Sequence, residues 1–222
     1  MAVGDTDEDG TSDVVVAHGN QVGVLTGSAL GLGEEMLFAA AGGTVAVALG
    51  DATADRNIDV LTADNAGISV LSGNGAGLFG QVTTSPLAVT MGGLATGDFN
   101  SDGAIDVAVL DTATDRVVVS FGNGLATFGG AVPYAVGLGV SDIVAADLDG
   151  DGALDLVVSS EDDDGVTVLL GQGNGSFAPQ MPFVVGLAPV ALAVGDFNAD
   201  GQPDIAIAQS GDDSIGLLLS AP

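Results

Sequence analysis

Apolar residues in this chain come in short runs rather than helical stripes. "DVVVAHG", "DVLTAD", "DVAVLD", "DLVVSS" and "DIAIAQ" start at residues 13, 59, 106, 155 and 204, each β-branched, alternating or apolar throughout. Runs of this kind bounded by Gly, Asp and Asn predict strands. A polar turn follows each of the last four ("DNAG", "DTATDR", "EDDDG", "SGDDS"), then a second run: "GISVLSG", "VVVSFG", "VTVLLG", "IGLLLS". Next comes a glycine-rich turn with a phenylalanine behind it, in "GNGAGLF", "GNGLATF" and "GQGNGSF". A last extended segment leads into small-residue runs such as "GGLATGD", "SDIVAAD" and "PVALAVGD". The pattern predicts four strands per unit, joined by short hairpins, with no helix.

An acidic motif keeps the same phase: "GDTDEDGTSD" (4–13), "GDATADRNID" (50–59), "GDFNSDGAID" (97–106), "ADLDGDGALD" (146–155) and "GDFNADGQPD" (195–204). Its first aspartates are Asp5, Asp51, Asp98, Asp147 and Asp196, so the period is 46 to 49 residues. A constant period in this range marks an array or propeller. The Ala, Gly, Val and Leu ahead of each motif suit inner strands crowded near a common axis. The expected architecture is therefore a single all-β domain over 1–222, a β-propeller of about five four-stranded blades. A linear solenoid shares the period and stays open as an alternative. The chain starts within a first strand ("MAV") and stops after a third ("SIGLLLSAP"), so the last blade is expected to be incomplete. Its open edge is a template for strand addition and self-association.

By position the motif reads D-x-[DN]-x-D-G-x-x-D. Side-chain oxygens at the first, third, fifth and ninth positions, a glycine for a sharp turn and a carbonyl at the seventh suit a hard cation. Calcium accepts six to eight oxygens in flexible geometry, whereas magnesium demands a strict octahedron. An EF-hand would need Glu at the twelfth position, where Val16, Val109 and Ile207 stand inside apparent strands. The loop must then link strand to strand.

Charge agrees with this. With 30 acidic and 2 basic residues the formal net charge is −28, which repels nucleic acid and anionic bilayers. More than half of the acidic residues lie in the five motifs; Lys is absent and Glu occurs only at 8, 34, 35 and 161. No apolar run is long enough to insert in a membrane. The missing cysteine excludes disulfides and thiolate metal sites.

The block "GDFNxDGxxD", followed by an apolar strand and a downstream "GNGxxxF", resembles the FG-GAP or VCBS-type repeat of integrin α-subunit propellers and many secreted bacterial proteins. The resemblance covers the whole chain. It implies that the loops join the first and second strands of each blade and lie on one face of the propeller. Carried onto this sequence, it implies calcium ligands at Asp5, Asp7, Asp9, Thr11 and Asp13; at Asp98, Asn100, Asp102, Ala104 and Asp106; at Asp147, Asp149, Asp151, Ala153 and Asp155; and at Asp196, Asn198, Asp200, Gln202 and Asp204. The copy at Asp51, Asp55, Asn57 and Asp59 departs from the pattern, with Thr53 at the third position and Arg56 in place of glycine, and is expected to bind weakly.

Little else carries chemistry. His18 reads as an exposed turn residue, and no cysteine or lysine offers a nucleophile, so no catalytic residue is assigned and no enzyme is expected. Phe38, Phe79, Phe128 and Phe177 recur in phase and read as packing between blades. "NGS" at 174–176 reads as a turn, Arg116 as a surface partner of Asp111 or Asp115, and the acidic turns at 161–165 and 211–214 as solvated. The sequence thus points to a calcium-stabilised extracellular or cell-surface module for adhesion, interaction or assembly, with protein or glycan partners. Alternatives are a lectin-like propeller, a surface-filament subunit, or an accessory domain of a secreted hydrolase.

Overall fold

The computed structural model describes residues 1–179 and 181–220, and among them it contains strands and no α-helix. Five antiparallel sheets follow one another along the chain. The first holds β1 (Ala2–Gly4), β2 (Asp13–Leu25) and β3 (Glu35–Thr44); the second β4 (Ala46–Gly50), β5 (Asp59–Asp64), β6 (Gly67–Gly73) and β7 (Phe79–Ser85). The third holds β8 (Met91–Gly97), β9 (Asp106–Asp111), β10 (Arg116–Gly122) and β11 (Phe128–Ala135). The fourth holds β12 (Val140–Ala146), β13 (Asp155–Ser160), β14 (Gly165–Leu169) and β15 (Met181–Val184); the fifth β16 (Pro189–Gly195), β17 (Asp204–Gln209) and β18 (Ser214–Leu218). Strand order equals chain order in every sheet.

Two sheets depart from the four-strand expectation. In the first, β2 runs through the places of both the second and third strands. Its start pairs with β1 and its end with β3, and Gly19 between them takes the left-handed conformation, φ 67°. The fifth sheet has no fourth strand among the described residues.

The apolar runs are explained by double burial. In β9, Val107 and Val109 pack toward the second sheet, while Ala108 and Leu110 pack toward the fourth; all four are fully buried. A strand covered on both faces reads as a continuous apolar run. The same rule joins the first sheet to the second through Val15, Val22, Val24, Val60 and Leu71, and the fourth to the fifth through Val157, Val166, Val168, Ile205 and Ile207. Residues of β1, β4, β8 and β12, among them Ala2, Ala48, Ala95 and Ala145, line one shared cavity of about 510 Å³.

The recurring phenylalanines act between sheets. Phe79, Phe128 and Phe177 each pack into the interface with the preceding sheet, Phe79 edge-on to Phe38 at 5.3 Å and Phe177 edge-on to Phe99 and Tyr134. The fifth sheet supplies no such ring to its interface with the fourth among the described residues. A cavity of about 260 Å³ lined by Leu148, Val168, Met181, Phe183 and Leu218 lies there instead. Asn74, Asn123 and Asn174 each accept the N–H two residues on, so "NGS" is one of three equivalent side-chain turns.

The acidic turns at the opposite end of the sheets differ from expectation. They are tied to the segments between sheets rather than merely solvated: Asp115 and Asp164 bond the segment entering the following sheet, Asp163 and Asp212 the segment entering their own. Asp115 accepts the Gly139 N–H at 2.9 Å, Asp163 that of Leu138 at 2.7 Å, Asp164 that of Ala188 at 2.9 Å and Asp212 that of Leu187 at 2.6 Å. Sequence spacing cannot show this, because each donor lies 24 or 25 residues away. Among the described residues, Arg116 forms no ion pair within 4.0 Å. Asp111 instead accepts from Thr90, Ala113 and Thr114.

Candidate metal-binding loops

All five acidic motifs form the connection between the first and second strands of a sheet. Each loop is closed by a cross-strand pair: Gly4 with Asp13, Gly50 with Asp59, Gly97 with Asp106, Ala146 with Asp155 and Gly195 with Asp204. The loops therefore lie at the same end of their sheets.

Inside each loop the carboxylates are held by backbone N–H groups in a repeated order. The first aspartate accepts from the sixth residue: Asp5 from Gly10 at 2.9 Å, Asp98 from Gly103 at 2.8 Å, Asp147 from Gly152 at 3.0 Å and Asp196 from Gly201 at 2.9 Å. The fifth accepts from the seventh: Asp9 from Thr11, Asp102 from Ala104, Asp151 from Ala153 and Asp200 from Gln202, at 2.7 to 2.8 Å. Carboxylate oxygens converge at the first, third and ninth positions of the first loop and at the first, third and fifth of the fourth. Oxygens of Asp5, Asp7 and Asp13 lie within 4.8 Å of one another, as do those of Asp147, Asp149 and Asp151. In the third and fifth loops the amides of Asn100 and Asn198 donate to Asp102 and Asp200 at 3.0 and 2.9 Å.

The ninth-position aspartate has a role that its spacing did not reveal. It is buried and bridges the hairpin with both oxygens. One oxygen of Asp106 accepts the Phe99 N–H at 3.0 Å, the other the Gly122 N–H at 2.8 Å. Asp155 binds Leu148 and Gly171, both at 2.7 Å. Asp13, Asp59 and Asp204 do the same with Thr6 and Gly27, Ala52 and Gly73, and Phe197 and Ser220. An ion at these loops shares this aspartate with the backbone. The glycine at the end of the third strand is the signal that could have exposed the bridge. A Cβ at Gly122 would sit 2.0 Å from the Ile105 carbonyl oxygen, so that place requires glycine, whereas in the fifth sheet Ser220 makes the equivalent bond.

Burial pushes the Asp106 carboxyl up to about 6; the Gly122 and Phe99 N–H groups oppose the shift, and Asp102 and Asp98 add to it. Burial moves Asp59 and Asp155 in the same direction. At the loop surface, desolvation raises Asp7, with like charge from Asp13, Asp9 and Asp5 adding, whereas the Thr11 side chain and N–H lower Asp9. A carboxyl whose folded pKa is raised binds its proton more tightly than the unfolded chain does. Its stabilising effect is complete below the unfolded value and is lost as pH rises through the folded one. In chelator, the melting temperature is expected to fall steadily from pH 4.5 to pH 7. A flat profile in differential scanning calorimetry contradicts this assignment.

The second loop keeps the backbone order despite its altered residues. Asp51 accepts from Arg56 at 2.8 Å and Asp55 from Asn57 at 2.9 Å. Arg56 adopts φ 75° where Gly10, Gly103, Gly152 and Gly201 have 86° to 90°. Thr53 Oγ1, at the third position, is buried and meets no partner at hydrogen-bond geometry among the described residues. Left-handed backbone costs a side-chain-bearing residue about 1 kcal/mol or more relative to glycine. Arg56→Gly is expected to raise the melting temperature by about 2–4 °C. An unchanged or lower value refutes strain at this turn.

The loops also hold neighbouring sheets. The glycine-rich turn of the next sheet donates to each of the first three loops: Gly77 to the Thr6 carbonyl at 3.2 Å, Ala126 to Ala52 at 2.9 Å and Gly175 to Phe99 at 2.8 Å. Ordering a loop therefore orders a junction between sheets. His18 is exposed, its imidazole 4.0 Å from the Glu35 carboxylate.

These features define a class: an all-β repeat protein whose sheets carry one acidic hairpin loop apiece. The FG-GAP-like repeat model matches residues 98–158 and 147–207, and the chain is an FG-GAP-type repeat protein. No curated protein sequence matches the chain significantly. Among solved structures, a lectin from Agrocybe aegerita that recognises non-reducing terminal N-acetylglucosamine aligns with a TM-score of 0.62 at 19% identity, over 98% of this chain and 65% of the lectin. The V. cholerae biofilm matrix protein Bap1 aligns with a TM-score of 0.50 at 21% identity, over 87% of this chain and 30% of Bap1. The Photorhabdus luminescens Tc holotoxin pore aligns with a TM-score of 0.54 at 16% identity, over 92% of this chain and 10% of the toxin. The chain spans less than two thirds of each of these proteins, and the likeness is one of fold. Among the described residues, no helix is long and apolar enough to cross a membrane.

Proposed function

We propose that this chain is a calcium-stabilised, non-enzymatic module of propeller type, working outside the cell or at its surface in adhesion, interaction or assembly. The observation that carries the reading is the identical loop order in five sheets, with three of the loops hydrogen-bonded to the sheet that follows. The donors fit a hard cation: carboxylate oxygens converge in the first and fourth loops, and no Lys or Arg lies within the five motifs apart from Arg56. Unscreened by a cation, two carboxylates about 4 Å apart repel by about 1 kcal/mol in water and several times that near protein. Asp5, Asp7, Asp9 and Asp13, with the Thr11 carbonyl, would hold one ion, and the equivalent residues of the third, fourth and fifth loops would hold three more. When bound, the ion supplies charge neutralisation and loop order. The chain's own residues supply the hairpin bridge and the docking of the next sheet.

Such loops fill at extracellular calcium concentrations, about 10⁻³ M, and empty in cytosol, which supports the location. Calorimetric titration is expected to count four calcium ions, with magnesium weaker. Asp151→Ala should remove one ion and more stability than Asp55→Ala. Equal losses refute the ranking of the loops, and no calcium heat refutes the ion. A glycan-binding reading draws on the fold shared with the lectin. Glycan-array binding that disappears in chelator would favour it over a protein partner.

A further inference from the structure

The outermost sheets each turn an apolar face to solvent. In the first four sheets, the third-strand residues facing the next sheet are Val22 and Val24, Ile68 and Val70, Val117 and Val119, and Val166 and Val168, none more than 5% exposed. The equivalent pair in the fifth sheet is Ile215 and Leu217, 77% and 53% exposed. Register places Ile215 opposite Ala208 and Leu217 opposite Ala206, with Ala191 and Ala193 alongside, so the face is a continuous apolar surface.

The first sheet shows the opposite half. Val60, Val107, Leu156 and Ile205 face the preceding sheet and are at most 6% exposed. Their counterpart Val14 lies opposite Val3, which is 58% exposed, and Leu37 on the same face is 48% exposed. Val16 lies between them against Gly23.

We propose that the outward face of the fifth sheet docks on the outward face of the first sheet of a second copy, extending the sheet stacking from one molecule to the next. The occupant follows from the molecule's own construction. The two faces are the two halves of an interface that the chain already builds four times, in one fixed polarity. Neither face carries a Lys or Arg, and apolar contact is the main chemistry both offer; on the first sheet's face the Glu35 carboxylate lies over Gly23, 4.0 Å from the His18 imidazole. A head-to-tail contact between unlike faces forms a ring if its rotation closes and a filament if it does not. The formal charge of −28 opposes association, so added salt should strengthen it.

The inference rests on the interaction-module reading, and its test is separable from the calcium one. Sedimentation velocity of the whole chain, in calcium and about 0.5 M salt to screen the charge, should show mass rising with concentration over about 1–200 μM. Ile215→Asp with Leu217→Asp should be monomeric, and so should Val3→Asp with Leu37→Asp. Mixing these two double variants should give a dimer and nothing larger, since each retains one intact face. A monomeric parent chain overturns the proposal, as expected if further repeats of a longer chain cover these faces. Variants that still assemble, or a mixture that stays monomeric, also overturn it. All four substituted residues are exposed, and unchanged melting of the monomeric variants verifies their fold. If aspartate lowers melting, serine at the same positions gives the same reading. The calcium-dependent melt of these monomers tests the ion independently of assembly.

Discussion

In 1 mM calcium the chain should melt at least about 10 °C higher than in chelator. A ligand at about 100 times its dissociation constant adds about 2.7 kcal/mol per site. Four such sites add about 11 kcal/mol, and a domain of this size gains about 2–4 °C per kcal/mol. The expected shift is smaller than the roughly 22 °C or more this sum implies for a single cooperative unit, because sheets in an array need not melt as one. Magnitude here follows from connectivity. Each of the first three loops bonds to the next sheet through Gly77, Ala126 or Gly175, so neutralising Asp5, Asp98 and their neighbours steadies a junction as well as a turn. Thermal unfolding by circular dichroism, with magnesium as control, is the measurement. A melt that calcium leaves unchanged removes the ion from the account of these loops.

Asp155→Ala should destabilise the chain by about 3–5 kcal/mol whether or not calcium is present. Its carboxylate is fully buried and accepts the Leu148 and Gly171 N–H groups, both at 2.7 Å. Hydrogen bonds to a charged acceptor are worth about 1.5–3 kcal/mol each, and alanine leaves both donors unpaired. Asp151→Ala behaves differently. Asp151 is exposed and holds only its own loop, so in chelator the change should cost little, while in calcium it should forfeit one ion, about 2–3 kcal/mol. Chemical denaturation of both variants, with and without calcium, separates the bridge from the ion ligand. Equal calcium dependence of the two losses contradicts the division.

Much of the site was legible because it is local. Asp98 to Asp106 form one loop, and the glycine at the sixth position announces the left-handed turn seen at Gly103. The strands were legible for the same reason, since alternation and turn residues are properties of neighbours. The long β2 was not: its turn at Gly19 is too tight to interrupt the strand. Equally hidden was the use of acidic side chains as acceptors for distant N–H groups, as Asp106 does for Gly122 and Asp164 for Ala188.

The sequence by itself therefore determined the repeat, the strands, the order of oxygen donors in each loop and the charge that demands a counter-ion. Tertiary structure alone decided which aspartates also serve as buried backbone acceptors, as Asp13 and Asp155 do. It also decided that the loops fasten one sheet to the next and that Ile215 and Leu217 are left uncovered. The reason is physical. Periodicity and turn chemistry are written between adjacent residues, whereas the partner of a buried carboxylate, or of an apolar face, is chosen only when remote segments are packed together.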